Sequence, residues 1–273
     1  MTTFGPPGNG PGDLGFVDAL AVGPDGSSYV YDGNNRRVGI YDVNYEFVNS
    51  FPVKVDRLKR MAVNNHGVLY FLRENHYRGG AAVLAYDAQG TLLHSWGKIP
   101  YTAKVQMNLF GGGIGVDDIG NVYYSYISDH KIFKTNSSGE LLSVFDAEPP
   151  YYKGPDENRL QKWDGKEASL EMERVRYFYG LSQMRGLFLA KGTPFLFQYF
   201  LTPDPKEKRM KLSLELWHTD GFKIASDVKS PGELRFADDR FLYFVVLNTT
   251  EDENPLIRMH SYSLKREDSV VRF

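Results

Sequence analysis

Apolar and polar residues alternate in short runs along most of the chain, and each run is broken by Gly, Asn, Asp or Pro. That is the punctuation of strands and turns, with few stretches at the 3.6-residue period of helices. Residues 19–32, ALAVGPDGSSYVYD, predict two strands around a Pro-Asp-Gly turn. The same sentence returns as RMAVNNHGVLYFLR (60–73) and GIGVDDIGNVYYSY (113–126), and more loosely as GLFLAKGTPFLFQY (186–199) and ELRFADDRFLYFVV (233–246). A second hairpin follows each copy: 37–51, 83–96, 131–145, 214–228 and 258–273. The repeating unit is therefore a four-stranded antiparallel meander. Taking Val22, Val63, Val116, Leu189 and Phe236 as equivalent anchors, the separations are about 41, 53, 73 and 47 residues, the period of propeller blades with insertions. Such units bury their faces only by stacking on one another around an axis. Two stacked sheets would not require the same strand order five times.

The prediction is an all-β chain forming one β-propeller domain over residues 1–273, with blades near 16–51, 56–97, 107–146, 183–228 and 232–273 and an insertion at 147–182. Residues 8–51 carry a Gly-rich lead, an apolar strand, Asp25-Gly26, the strand Tyr29-Val30-Tyr31-Asp32, Asn35-Arg36-Arg37-Val38 and a closing strand ending at Phe51. This run resembles an NHL repeat, and the chain is similar overall to bacterial six-bladed propellers of the NHL or TolB-like type. The copy at 113–145 matches less well, with Asp129, His130 and Lys131 where the Asn-x-Arg-Val element would stand. The resemblance implies six blades and an extracytoplasmic bacterial location. Five meanders are visible, and Thr3-Phe4-Gly5 looks like the tail of an outer strand. Two readings follow: a five-bladed ring, or a six-bladed propeller with one blade missing at the N-terminus, the latter favoured.

Composition sharpens the picture in two ways. The 18 Tyr, 18 Phe and 27 Gly among 273 residues suit blade faces and turns. The absence of cysteine removes disulfides, thiolate metal sites and Cys nucleophiles. A net charge of −2 gives no general pull toward nucleic acid. The first residues lack the basic-then-apolar pattern of a secretory signal, and no run approaches the roughly 18 apolar residues of a membrane span.

Candidate chemistry lies where loop length varies. In a propeller the second-to-third-strand loops and the blade-to-blade loops share one face, and here these carry the insertions. RENHYRGG places Arg73, Glu74, His76, Tyr77 and Arg78 together, a mixture suited to hydrogen bonding and stacking. Asp129 and His130 occupy the equivalent loop of the third blade and Arg36 that of the first. Arg60 and Glu233 mark the entrance to inner strands, as do Asp18, Lys59 and Arg185, and are expected at the channel mouth. In the insertion, 168–176 has helical composition, predicting a short helix or lid. Tyr151, Tyr152 and Trp163 there are candidate ligand contacts, or else anchors of the loop onto the propeller. No His-x-x-x-His, Gly-x-Ser-x-Gly, phosphate loop or EF-hand is present, so no catalytic residue, metal ligand or cofactor is assigned. The expectation is a non-catalytic module binding a protein, peptide or glycan on the loop face. The alternative is a hydrolase or lyase, which would gather Asp18, Glu74, His76, Asp129, His130 and Glu233 around a metal.

Overall fold

In the computed structural model of the protein, the alternating runs become 21 strands among the described residues. The structure describes residues 5–53, 58–73, 80–100, 111–163, 171–204, 209–248, 256–263, 265–267 and 270–272. Blade one is β1 (Val17–Val22), β2 (Ser28–Asp32), β3 (Arg37–Tyr41) and β4 (Phe47–Pro52). Blade two is β5 (Leu58–Val63), β6 (Leu69–Arg73), β7 (Ala81–Tyr86) and β8 (Leu92–Lys98). Blade three is β9 (Gly113–Val116), β10 (Val122–Ser125), β11 (Ile132–Thr135) and β12 (Leu141–Phe145). Blade four is β13 (Gln183–Leu189), β14 (Phe195–Asp204), β15 (Arg209–His218) and β16 (Lys223–Lys229). Each of these is an antiparallel sheet in chain order. Blade five has β17 (Glu233–Ala237), β18 (Phe241–Asn248) and β19 (Leu256–Ser263) in one sheet, and β20 (Lys265–Glu267) pairs with β21 (Val270–Arg272) as a final hairpin. The protein is a five-bladed β-propeller. The sequence anchors fall at one place in every blade: Val22, Val63, Val116 and Leu189 end their inner strands, and Phe236 stands one residue from the end of β17.

The turns repeat for a chemical reason. Asp42, Asp87 and Asn136 open the third-to-fourth turns of blades one to three. Their side-chain oxygens take the amides two and four residues on: Asn44 and Glu46, Gln89 and Thr91, Ser138 and Glu140. Side-chain acceptors of this kind replace backbone bonds that a tight turn cannot make.

Apolar side chains seal successive blades. Tyr31, Val38 and Phe51 of blade one pack with Leu69, Phe71 and Leu84 of blade two. Tyr70 and Val83 meet Ile114 and Tyr124 between blades two and three. Phe145 stacks on Trp217 between three and four, with ring centroids 5.9 Å apart, and Phe197 packs with Leu234 and Phe244 between four and five. The junction of blade five with blade one is built differently. Leu20 and Val22 on one side and Phe236 and Met259 on the other are exposed, and among the described residues no core cluster spans that junction.

Of Thr3-Phe4-Gly5, which suggested the tail of a further blade, Thr3 and Phe4 lie outside the described residues. Residues 5–15 lie on blade one as a cap, on the Tyr41 side that faces away from blade two. Arg37 donates to the carbonyls of Asn9, Gly10 and Asp13, Asn35 Nδ2 donates to Gly8, and Tyr41 Oη donates to Gly12. The buried Asp32 carboxylate accepts the amides of Gly15, Phe16, Asn34 and Asn35, plus Asn35 Nδ2 at 2.6 Å. The motif residues that resemble an NHL repeat are thus the clasp that holds the lead. Burial pushes the Asp32 carboxyl up, but the amides of Gly15, Asn35 and Phe16 outweigh it and hold it below the usual carboxylate range. Its stabilising contribution is full above the unfolded value and is lost as pH falls through the lower folded value. Asp32→Asn should cost about 2 kcal/mol, since it replaces charge-assisted bonds and turns an amine toward amide donors. The matching measurement is urea unfolding from pH 7 to pH 3: the gap between wild type and variant should close at the acid end.

The insertion carries two helices, α1 (Glu157–Trp163) and α2 (Glu171–Tyr179). They share a small core of Leu160, Trp163, Phe178 and Leu181. Asp156 caps α1 by accepting the amides of Asn158 and Arg159. Of the helix predicted at 168–176, residues 171–176 are helical and the helix runs on to Tyr179, where Gly180 ends it; 168–170 lie outside the described residues. No described helix is long and apolar enough to cross a membrane.

Candidate functional site

The inner strands β1, β5, β9, β13 and β17 surround one central cavity of about 1080 Å³. Every blade contributes apolar side chains to its wall: Leu20, Val63, Val116, Leu187 and Phe236 come one from each. Inner-strand residues reach it because each blade turns its first strand to the axis. At the loop-face end the lining changes to Asp18, Arg60, Arg185, Tyr199, Glu233 and Arg235. At the opposite end stand Asp117, Asp118 and Lys191, on or beside the first-to-second-strand turns.

The loop-face mouth is held by defined contacts. Arg60 crosses from blade two, donating Nε to the Gly112 carbonyl at 3.0 Å and Nη2 to the Arg185 carbonyl at 2.8 Å. It therefore ties three blades together at the rim. Arg185 Nη1 donates to Gln183 Oε1 at 3.3 Å, and Gln183 Nε2 donates to the Phe178 carbonyl at 3.2 Å. The end of α2 thus fixes the buried Gln183, which in turn positions Arg185. Glu233 pairs with Arg235 across two residues of β17. Tyr199 stands between blades four and five, only 3 % exposed, and no described residue hydrogen-bonds its hydroxyl. Burial and the nearby Glu233 raise its pKa, while Arg185 and Arg235 pull the other way.

Other sequence candidates are bound up elsewhere. His130 Nε2 lies 2.8 Å from Asp146, its other ring nitrogen faces Asp129 and Glu148 at 3.9 and 3.8 Å, and Lys131 pairs with Asp146 at 3.0 Å. Burial raises the Asp129 carboxyl, and hydrogen bonds from His130 and Lys131 lower that of Asp146. Tyr152 packs edge-on against His130 and donates to the Ser128 carbonyl at 2.7 Å. Tyr151 donates to the buried Glu215 at 2.6 Å, with the Lys211 ammonium over its ring. Trp163 is buried against Tyr177, and Arg159 lies over both rings. Tyr151 and Tyr152 anchor the insertion to blades four and three, Trp163 packs inside it, and none of its described residues lines the cavity. Arg36 is exposed in the β2–β3 turn with φ 50°, and Arg73 donates to the Ala81 carbonyl at 3.1 Å. Glu74, His76, Tyr77 and Arg78 lie outside the described residues.

Of the six residues that a metal-dependent reading would gather, the four described ones separate. Asp18 and Glu233 line the channel mouth, whereas His130 lies between Asp129 and Asp146 on blade three. Among the described residues no group of three His, Asp or Glu is arranged to hold a metal ion. The mouth residues that the repeats identified are Asp18, Arg60, Arg185 and Glu233. Tyr199 and Gln183 were missed, because each reads as an ordinary member of a strand and only the neighbouring blade or helix gives it a role.

No protein-family model matches the chain, and no curated protein matches it. Solved structures do. A Bacteroides fragilis protein classed as exported superposes with TM-score 0.63 at 13% identity, covering 90% of this chain and 70% of its own. A member of the duf4221 family from Bacteroides vulgatus gives TM-score 0.62 at 11% identity, covering 93% and 80%. Hydrazine synthase of Kuenenia stuttgartiensis gives 0.56 at 12% identity, covering 93% of this chain and 64% of its own. At such identities the likeness establishes the propeller fold alone.

Proposed function

We propose that the protein is a non-catalytic binding propeller that takes a peptide segment of a protein partner into the loop-face mouth of its central channel. The observation that carries this reading is the cavity itself: apolar walls from five blades beneath a rim that carries Asp18, Arg60, Arg185 and Glu233. Pockets of this make-up bury apolar groups and orient them through a few polar contacts. The apolar side chains that every blade contributes suit a peptide carrying apolar residues. Blade one is read as an NHL-like repeat, on the strength of its Asp32, Asn35 and Arg37 clasp.

The test is selection from a displayed random-peptide library on the immobilised protein. Peptides rich in apolar residues should enrich on wild type and lose at least tenfold on Leu20→Glu and Phe236→Glu. Both residues line the cavity and are exposed, at 54% and 51%, so replacing them spares the core. Enrichment that is equal on the variants, or absent from wild type, overturns the reading.

A further inference from the structure

We propose that the channel mouth is a carboxylate-recognition site, in which Tyr199 and Arg185 hold the carboxylate of a ligand whose apolar body enters the channel. This rests on the channel-binding reading and names the end by which the ligand is held.

Three observations converge. Tyr199 is a phenol more than nine-tenths buried, lines the cavity, and has no hydrogen-bond partner among the described residues. A buried hydroxyl without a partner is unfavourable, a penalty that a ligand acceptor would remove. Second, Arg60, Arg185 and Arg235 bring guanidinium groups to this end beside Asp18 and Glu233. Glu233 is already engaged by Arg235, which limits its repulsion of an incoming carboxylate. Third, Arg185 is oriented by the buried Gln183, itself held by the carbonyl of Phe178, so the guanidinium is set in place before a ligand arrives. A guanidinium and a phenol O–H both donate, and a carboxylate is the acceptor that matches the pair. Beyond them the wall is Leu187, Leu234 and Phe236, which suits aliphatic or aromatic groups next to the acid. A peptide C-terminus and a free amphipathic acid share this chemistry.

The experiment offers the protein a pool of N-acetyl hexapeptides made in two forms, free acid and C-terminal amide, with decanoate as a separate ligand. The free acids should be enriched at least tenfold over the amides. Tyr199→Phe, which keeps the ring in the core, should erase most of that preference, as expected for a hydrogen bond to a charged group. Acids and amides enriched alike would overturn the carboxylate site while leaving the peptide reading intact. Decanoate bound in a Tyr199-dependent way, with no peptide enriched, would support the carboxylate site and overturn the peptide reading. Neither peptide nor decanoate binding would overturn both. Full free-acid preference retained in Tyr199→Phe would mean that Tyr199 is not part of the site.

Discussion

Lys223→Met is expected to destabilise the propeller by about 3–5 kcal/mol, because it strips the counter-charge from a carboxylate with no access to water. Glu215 is 0% exposed on β15, and the Lys223 ammonium stands 2.8 Å from its Oε2. The other oxygen accepts Tyr151 Oη, Ser226 Oγ and the Asp227 amide. Lys223 also donates to the Ala147 carbonyl at 2.6 Å and lies over the Trp217 ring. One ammonium therefore neutralises a core charge and pins the start of the insertion. The loss should appear in urea titration as a lower midpoint with the slope unchanged. Adding Glu215→Gln to the variant should recover part of the loss, since the stranded charge is then gone. If Lys223→Met costs less than about 1 kcal/mol, the pair behaves like an exposed ion pair and the buried-charge account fails.

That same cluster shows where sequence reading stops. In LSLELWH the charged Glu215 alternates with Leu214 and Leu216, so its side of the strand reads as outward-facing. It is buried because Tyr151, from a loop 64 residues earlier, folds over it. Such closures are tertiary events with no local signal. Helix α1 escaped for a related reason: a seven-residue helix has too little periodicity to declare itself, and its stability comes from Phe178 and Leu181 on the far side of the insertion. By contrast, strand order and turn chemistry were legible, since each depends on residues within a few positions. The mouth was half legible. Asp18 and Arg185 share one place in the repeat and Arg60 and Glu233 the next, so they could be superposed from sequence. Tyr199 sits on β14 and joins the mouth only through the packing of blade five against blade four. The expectation of a sixth blade came from the family resemblance and from Thr3-Phe4-Gly5, whereas the five blades are those of the structure and residues 5–15 cap blade one through their hydrogen bonds.

Gly113→Ala should destabilise the propeller by about 3 kcal/mol or more. The residue begins β9, the inner strand of blade three, which lies against β13 of blade four. A Cβ there would overlap the Leu187 amide nitrogen and Cβ and lie 2.7 Å from its Cα. Two of those atoms are backbone, so no rotamer change can yield, and the blades themselves must part. Overpacking of a rigid interface costs about 1–3 kcal/mol and more where backbone must move. The comparison that isolates the cause is Gly115→Ala, two residues along the same strand and on the same face. There the nearest atom is Leu189 Cβ at 3.3 Å, so a small adjustment suffices and the cost should stay near 1 kcal/mol. Neither glycine has a positive φ, so backbone freedom does not enter and close approach alone explains any difference. Because Leu187 and Leu189 also line the channel, prising β9 from β13 should widen the cavity and weaken ligand binding along with the fold. Equal losses at the two glycines would mean that β9 and β13 separate without cost, and the channel wall would then need another source of rigidity.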